Sequence, residues 1–150
     1  MILSMNDQEF AITGIDELGA CLATVRDRQY WELSIGVYDD PGEGNGFFGL
    51  VVLVNGKRAL LSYSQHLGDS GFTSADPTYS GSPAVMLDFQ LSNGQCDKHP
   101  MAWTVPTEEA LRAMEYAFLH QAPDPRITWK EWGDEPTADG FDLPGAEGKK

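Results

Sequence analysis

The chain has 150 residues, 41% of them hydrophobic, enough for one domain with one core. It carries 23 acidic against 10 basic residues, a formal charge of −13 with a pI near 4.3, which argues against direct binding to nucleic acid or to an anionic membrane, since both need Lys and Arg at the phosphates. The balance suits solubility, or a basic partner steered in by the field, and no apolar run approaches the ~20 residues that a membrane-spanning helix needs.

Residues 1–7 show neither a basic region nor a long apolar one, so no signal peptide is expected and the cytoplasm is the expected compartment. Residues 9–13 form a short strand candidate that Gly14 breaks. Asp16 then reads as a helix N-cap with Ile15 as a staple. Leu18, Cys21, Leu22 and Val25 fall at helical spacing, so one amphipathic helix is expected over 16–28. Cys21, on its apolar face, and Cys96 are the only cysteines, and both are expected to be free thiols.

Three strand candidates follow. In residues 30–38, Trp31, Leu33, Ile35 and Val37 alternate onto one face. Residues 39–46 make an acidic turn, and the almost wholly apolar 47–54 suits a central strand covered on both faces. Asn55-Gly56 signals a type I′ hairpin returning through 57–64. Residues 65–83 lack periodicity and are rich in Gly, Asp and Pro, so a long loop is expected, and loops of this length are commonly functional. Residues 84–91 alternate as a strand, 92–95 turn the chain, and 103–105 end a further extended piece.

A second helix begins near Pro106, which suits a first helical position, with Glu108 and Glu109 favourable to the dipole. Leu111, Met114 and Phe118 make its buried stripe, supported by Ala110 and Ala117, and His120 closes it before Pro123 and Pro125. Ile127 and Trp129 are expected to seal the core edge. The domain is read as 1–133, with 134–150 as an acidic tail expected to be disordered. The whole predicts an α+β fold, a largely antiparallel sheet of five to six strands with two helices packed on it.

Catalytic signals are weak. Cys96 and His99 place a thiol and an imidazole three residues apart, but a metal site needs more ligands and a turn with incidental residues is the expectation. No Gly-x-Ser-x-Gly elbow occurs. Residues 42–46 alternate glycine but lack the Lys-Ser/Thr of a phosphate loop and precede a strand. Neither a metal nor a cofactor is expected. The remaining candidate is a protein interface in which acidic groups set on-rate and aromatic side chains set affinity. Its residues are Asp39, Asp40, Glu43, Asp69, Phe72, Asp76 and Tyr79, with Asp88 and Asp97 nearby in the same argument.

The order of elements, with Val105-Pro106-Thr107-Glu108-Glu109-Ala110-Leu111 opening the second helix and Ile127-Thr128-Trp129-Lys130-Glu131-Trp132 after a Pro-rich turn, resembles the first-numbered immunity-protein (Imm) family of bacterial polymorphic toxin systems over residues 9–132. The resemblance implies a protein without catalysis of its own that binds a cognate toxin domain, a nucleic-acid deaminase, and occludes its active site or substrate groove. An acidic nucleic-acid mimic or another protein-binding module is the alternative. A small hydrolase or metal-binding protein ranks third.

Overall fold

The computed structural model describes residues 1–37, 49–66 and 68–132. The chain is α+β, as expected, but richer in strands. Strands β1 (Ile2–Met5) and β2 (Gln8–Ala11) form an antiparallel hairpin whose turn places Asn6 at φ 55, a left-handed position that Asn tolerates better than most side chains. The sequence points only to a strand over 9–13. β1 is too short to show a period, yet it buries Leu3 and Met5.

Helix α1 (Ile15–Leu22) has Gly14 at its N-cap and no side-chain cap, so Asp16 lies inside the first turn and is not the cap. Glu17 reaches back from within the helix instead, accepting bonds from the Thr13 N–H and hydroxyl at 2.9 Å each and tying the entering chain to the first turn. The single helix expected over 16–28 instead tightens into a 3-10 turn over Ala23–Asp27. There the Thr24 hydroxyl donates to Cys21 O at 2.7 Å and the Trp31 indole N–H to Val25 O at 2.6 Å, drawing carbonyls out of the α-helical ladder.

Strands β3 (Tyr30–Gly36), β4 (Gly49–Asn55) and β5 (Arg58–Ser64) form the expected meander. Asn55 pairs with Arg58, so the turn residues are Gly56 and Lys57 rather than Asn55 and Gly56. Gly56 sits at φ 59 and Lys57 does not share a positive φ, the pattern of a type II′ turn instead of I′. On β4, Leu50, Val52 and Val54 join the main core and Leu53 a second one, while Val51 stays 38% exposed, so the strand is covered on one face and only in part on the other.

The long loop expected over 65–83 contains a strand, β6 (Phe72–Ala75), which pairs with β5. β7 (Met86–Gln90) and β8 (Cys96–Pro100) form a separate hairpin, so Cys96 to His99 is a strand and not a turn. After a 3-10 turn over Met101–Trp103, β9 (Val105–Pro106) pairs with Ala59 and Arg58. Pro106 is thus the N-cap of helix α2 (Thr107–His120), not its first helical residue. The helix ends where Gln121 turns left-handed and donates to Ala117 O at 2.8 Å. β10 (Thr128–Glu131) pairs with β6 and closes the described chain's sheet.

Among the described residues the strand order is β10-β6-β5-β4-β3-β1-β2, with β9 off this path against β5, an antiparallel sheet of eight strands, somewhat more than the five to six expected because the short β1, β6 and β9 join it. Helices and sheet enclose the larger core. The α2 residues wholly inside it are Ala110, Ala113, Met114 and Ala117, while Leu111 and Phe118 only flank it. Alanines let the helix axis approach the sheet closely, which pushes the bulky neighbours to the margins. Side chains alternate along β4 and β5, so Leu53 and Leu60 face away from the helices. They pack with Phe89 of the hairpin and with Trp103 in the second core. Ile127 and Trp129 do join the main core at its edge.

Candidate functional site

The acidic residues of the segment between β5 and β7 are used first by the fold. Asp69 accepts the Gln65 N–H at 2.9 Å and the Gly71 N–H at 3.0 Å. The Gln65 bond, aided by that of Gly71, holds its carboxyl below the usual range. Gly71 follows at φ +76, where an added Cβ would lie 2.3 Å from Tyr63 O, so only glycine fits this close approach. Phe72 is half-buried and stacks on Tyr63, ring centroids 4.8 Å apart.

Asp76 caps its own turn by accepting the Thr78 hydroxyl at 2.7 Å and the Thr78 N–H at 3.0 Å, and it receives Arg58 Nη2 at 3.1 Å. The Thr78 hydroxyl foremost, then the Thr78 amide and Arg58, keep its carboxyl below the usual range. The Tyr79 hydroxyl donates to Ser82 O at 2.6 Å.

These four predicted interface residues do not form one patch. Asp69 and Phe72 lie at the Ser64 end of β5, and Asp76 lies at its Arg58 end. A seven-residue strand separates the two ends by roughly 20 Å. Asp39, Asp40 and Glu43 fall outside the described residues. The strand ends that flank them, Gly36 and Gly49, pair with each other, and Gly49 pairs with Ser64, at the same sheet end as Asp69 and away from Asp76 and Tyr79.

The β7–β8 hairpin carries the other acids. Asp88 receives Lys98 Nζ at 2.6 Å, and Asp97 receives Gln95 Nε2 at 2.8 Å and lies 3.9 Å from His99 Nε2. Strand geometry places Cys96 and His99, three residues apart, on opposite faces, which separates the thiol from the imidazole. His99 packs instead between Phe89 and Trp132, with centroids at 5.8 and 6.0 Å. Burial lowers its pKa, against an opposing pull from Asp97. Among the described residues no group of three or more His, Cys, Asp or Glu is placed to hold a metal ion, and both cysteines are free.

Beside His99, Trp132 meets Trp103 edge-on at 5.4 Å, and Lys130 Nζ lies 3.8 Å over the Trp103 ring. Trp132 also donates to Ser62 Oγ at 3.2 Å. The last described residues are therefore fastened to the face that carries the hairpin.

Concavities open between these elements, one of about 360 Å³ beside the β1–β2 turn with Asp7, Arg28 and Ser92 in its lining. A cleft of about 280 Å³ has Arg58, Asp76, Glu109 and Arg126 among its lining residues, two charges of each sign. A larger groove of about 850 Å³ lies between the 3-10 turn, the β4–β5 turn and the start of α2, and Arg26, Arg28 and Lys57 line it. Sequence reasoning passes over these three cations because they stand at no shared periodicity and meet only through the packing of two turns against a helix end. Compared with known proteins, the sequence matches no protein-family model and no curated protein.

Proposed function

We propose that the chain is an immunity protein that acts in the bacterial cytoplasm. It binds a cognate toxin domain, a deaminase of nucleic acid, and occludes the active site or the substrate groove. The observation that carries this reading is the coincidence of the sequence resemblance over residues 9–132 with a formal charge of −13.

A deaminase of this kind holds a zinc-activated water in a pocket that receives an extruded or single-stranded base. The groove leading to that pocket must attract a phosphate backbone, so it is basic. An acidic protein complements such a groove, and the complementarity raises the rate of encounter more than the final affinity. The Ser64 end of the sheet, with Asp69 and the strand ends that lead to Asp39, Asp40 and Glu43, is the contact surface in this reading. Asp69 is fixed there by its two backbone bonds, so a partner would meet an acid already held in place. No residue of the chain is assigned a catalytic role.

The test is co-expression with the toxin domain encoded beside it. Survival of the cells, and a dissociation constant in the nanomolar range or tighter for the purified pair, would support the proposal. Cell death despite soluble expression of both proteins would sink it for that toxin. Salt-sensitive binding to many unrelated basic proteins would point to a general acidic mimic instead.

A further inference from the structure

The groove between the 3-10 turn, the β4–β5 turn and α2 is positively charged in a strongly acidic chain. The described cations elsewhere are largely engaged. Arg58, Lys98 and Arg126 reach carboxylates at 3.1 Å or less, and Lys130 covers Trp103. Arg26 and Lys57 enter no ion pair among the described residues. Arg28 lies 3.9 Å from Asp27 and 4.5 Å over the Trp31 ring. All three line the same groove, together with the acids Asp27 and Glu108, leaving a local excess of one positive charge.

The groove is also apolar, for Val25, Pro106 and Leu111 contribute to its lining. Its walls are tied to one another. The Thr107 N–H donates to Lys57 O at 2.9 Å and its hydroxyl to Gly56 O at 2.9 Å, joining the helix start to the turn. Gly56 N–H donates to Gln29 O at 2.7 Å, joining that turn to the segment after the 3-10 turn. A concavity built in this way is formed before anything enters it, which lowers the ordering cost of binding.

We propose that this groove is a docking site for an acidic segment of a partner protein. Carboxylates of the segment would face Arg26, Arg28 and Lys57, and an aromatic or leucine side chain would lie on Val25, Pro106 and Leu111. Charge complementarity selects the acids, and the apolar lining selects a polypeptide over a free phosphate. A nucleic acid would meet the field of a chain of net charge −13 at every phosphate beyond the groove. This surface is separate from the acidic one assigned to toxin binding, and the proposal does not depend on that assignment.

The probe is a fluorescein-labelled peptide, Asp-Glu-Phe-Asp-Leu-Glu, titrated with the full chain at low salt and read by anisotropy. A control peptide replaces each acid with its amide. Two double variants carry the same change in net charge. Arg26→Gln with Lys57→Gln empties the groove of its unpaired cations and leaves Arg28 on Trp31. Lys98→Gln with Arg112→Gln removes exposed cations elsewhere. Circular dichroism checks that both remain folded.

The expected result is binding of the acidic peptide over its amide control, weakened about tenfold by the groove variant and no more than about twofold by the other. Equal weakening by both variants, equal binding of both peptides, or no binding at all would overturn the proposal. So would tighter binding of an oligothymidylate than of the peptide. If binding appears only in a full-length variant carrying Asp134→Asn, Glu135→Gln, Asp139→Asn and Asp142→Asn, the chain's own acidic stretch is the occupant and an external one is rejected. A dimer in sedimentation that the groove variant dissolves would likewise assign the groove to a second copy and reject the proposal.

Discussion

Arg58 reaches Asp76 at 3.1 Å while its guanidinium also donates to Thr104 O at 2.6 Å and Thr104 Oγ1 at 3.0 Å. One side chain thus joins β5, the turn that follows β6 and the entry to β9. Both partners of the ion pair are mostly shielded, with side chains 29% and 18% exposed. Replacing Arg58 with Met keeps the stem but strips the donors, leaving a carboxylate and a carbonyl short of partners. The expected cost is about 2 kcal/mol, read as a lower urea midpoint at unchanged slope.

Asp124 makes a second such knot in the turn before β10. It is 2% exposed, accepts the Arg126 N–H at 2.9 Å and the guanidinium at 3.0 and 2.8 Å, and its carbonyl takes the Trp129 indole at 2.9 Å. Burial alone would raise its pKa, but the Arg126 bonds and charge outweigh it and the carboxyl is held below its ordinary 3.8. Asp69 and Asp76 are lowered as well. A depressed carboxyl contributes stability that is present above the unfolded pKa and lost as pH falls through the folded one. Unfolding midpoints should therefore drop in the window below about pH 4 on account of these groups. Asp124→Asn should cost about 2 kcal/mol at pH 7 and make that acid drop shallower. An unchanged drop in the variant would count against this assignment.

His99 acts in a higher window. Its folded pKa lies below the ordinary 6.5 because burial disfavours the imidazolium. The unfolded chain therefore binds the proton more readily, and stability rises with pH. The contribution is complete above about pH 6.5 and is lost as pH falls toward the folded value. Thermal midpoints of the wild type should decline as pH drops from 7 through 6. His99→Phe, which keeps a ring between Phe89 and Trp132, should flatten that slope. Equal slopes would place the sensitivity elsewhere.

On α2, the close approach to the sheet rests on alanine. Ala113 is wholly buried, and Ala113→Leu adds volume where no space exists. A loss of about 1–3 kcal/mol is expected, measured by chemical denaturation. Leu119, 59% exposed on the same helix, is the comparison. Leu119→Ala should change stability by no more than about 0.5 kcal/mol.

The proposed toxin contact gives a kinetic prediction. Asp39→Asn, Asp40→Asn and Glu43→Gln together should slow association with the toxin domain and weaken its salt dependence, by surface plasmon resonance, more than they change dissociation. A variant whose association rate matches the wild type would remove these residues from the interface.

The meander and α2 were legible because β3, β4 and β5 alternate or run apolar over seven residues each, long enough for the period to show. β1 and β6 were not, at four residues each. β6 hides further because Thr73 and Ser74 are buried polar residues. Ser74 Oγ accepts Leu61 N–H and donates to Trp103 O, a satisfaction visible only in three dimensions. β8 reads as a polar turn, Cys-Asp-Lys-His-Pro, and is a strand because β7 pairs with it and Phe89 anchors the hairpin beneath. The acids of the candidate interface were legible as acids. Their prior engagement by Gln65, Gly71 and Thr78 was not, since turn capping by a carboxylate depends on chain direction.

Gly71 has a consequence for how this surface can change. With Tyr63 O pressed where a side chain would begin, the position accepts no substitution without parting β5 from β6. It works as a rivet between the Asp69 turn and strand β6. The turn before it and the turn after it can then be remodelled one at a time, in length or in charge, without passing strain to each other. A change of length or charge at one end of the sheet can then leave the other end as it was.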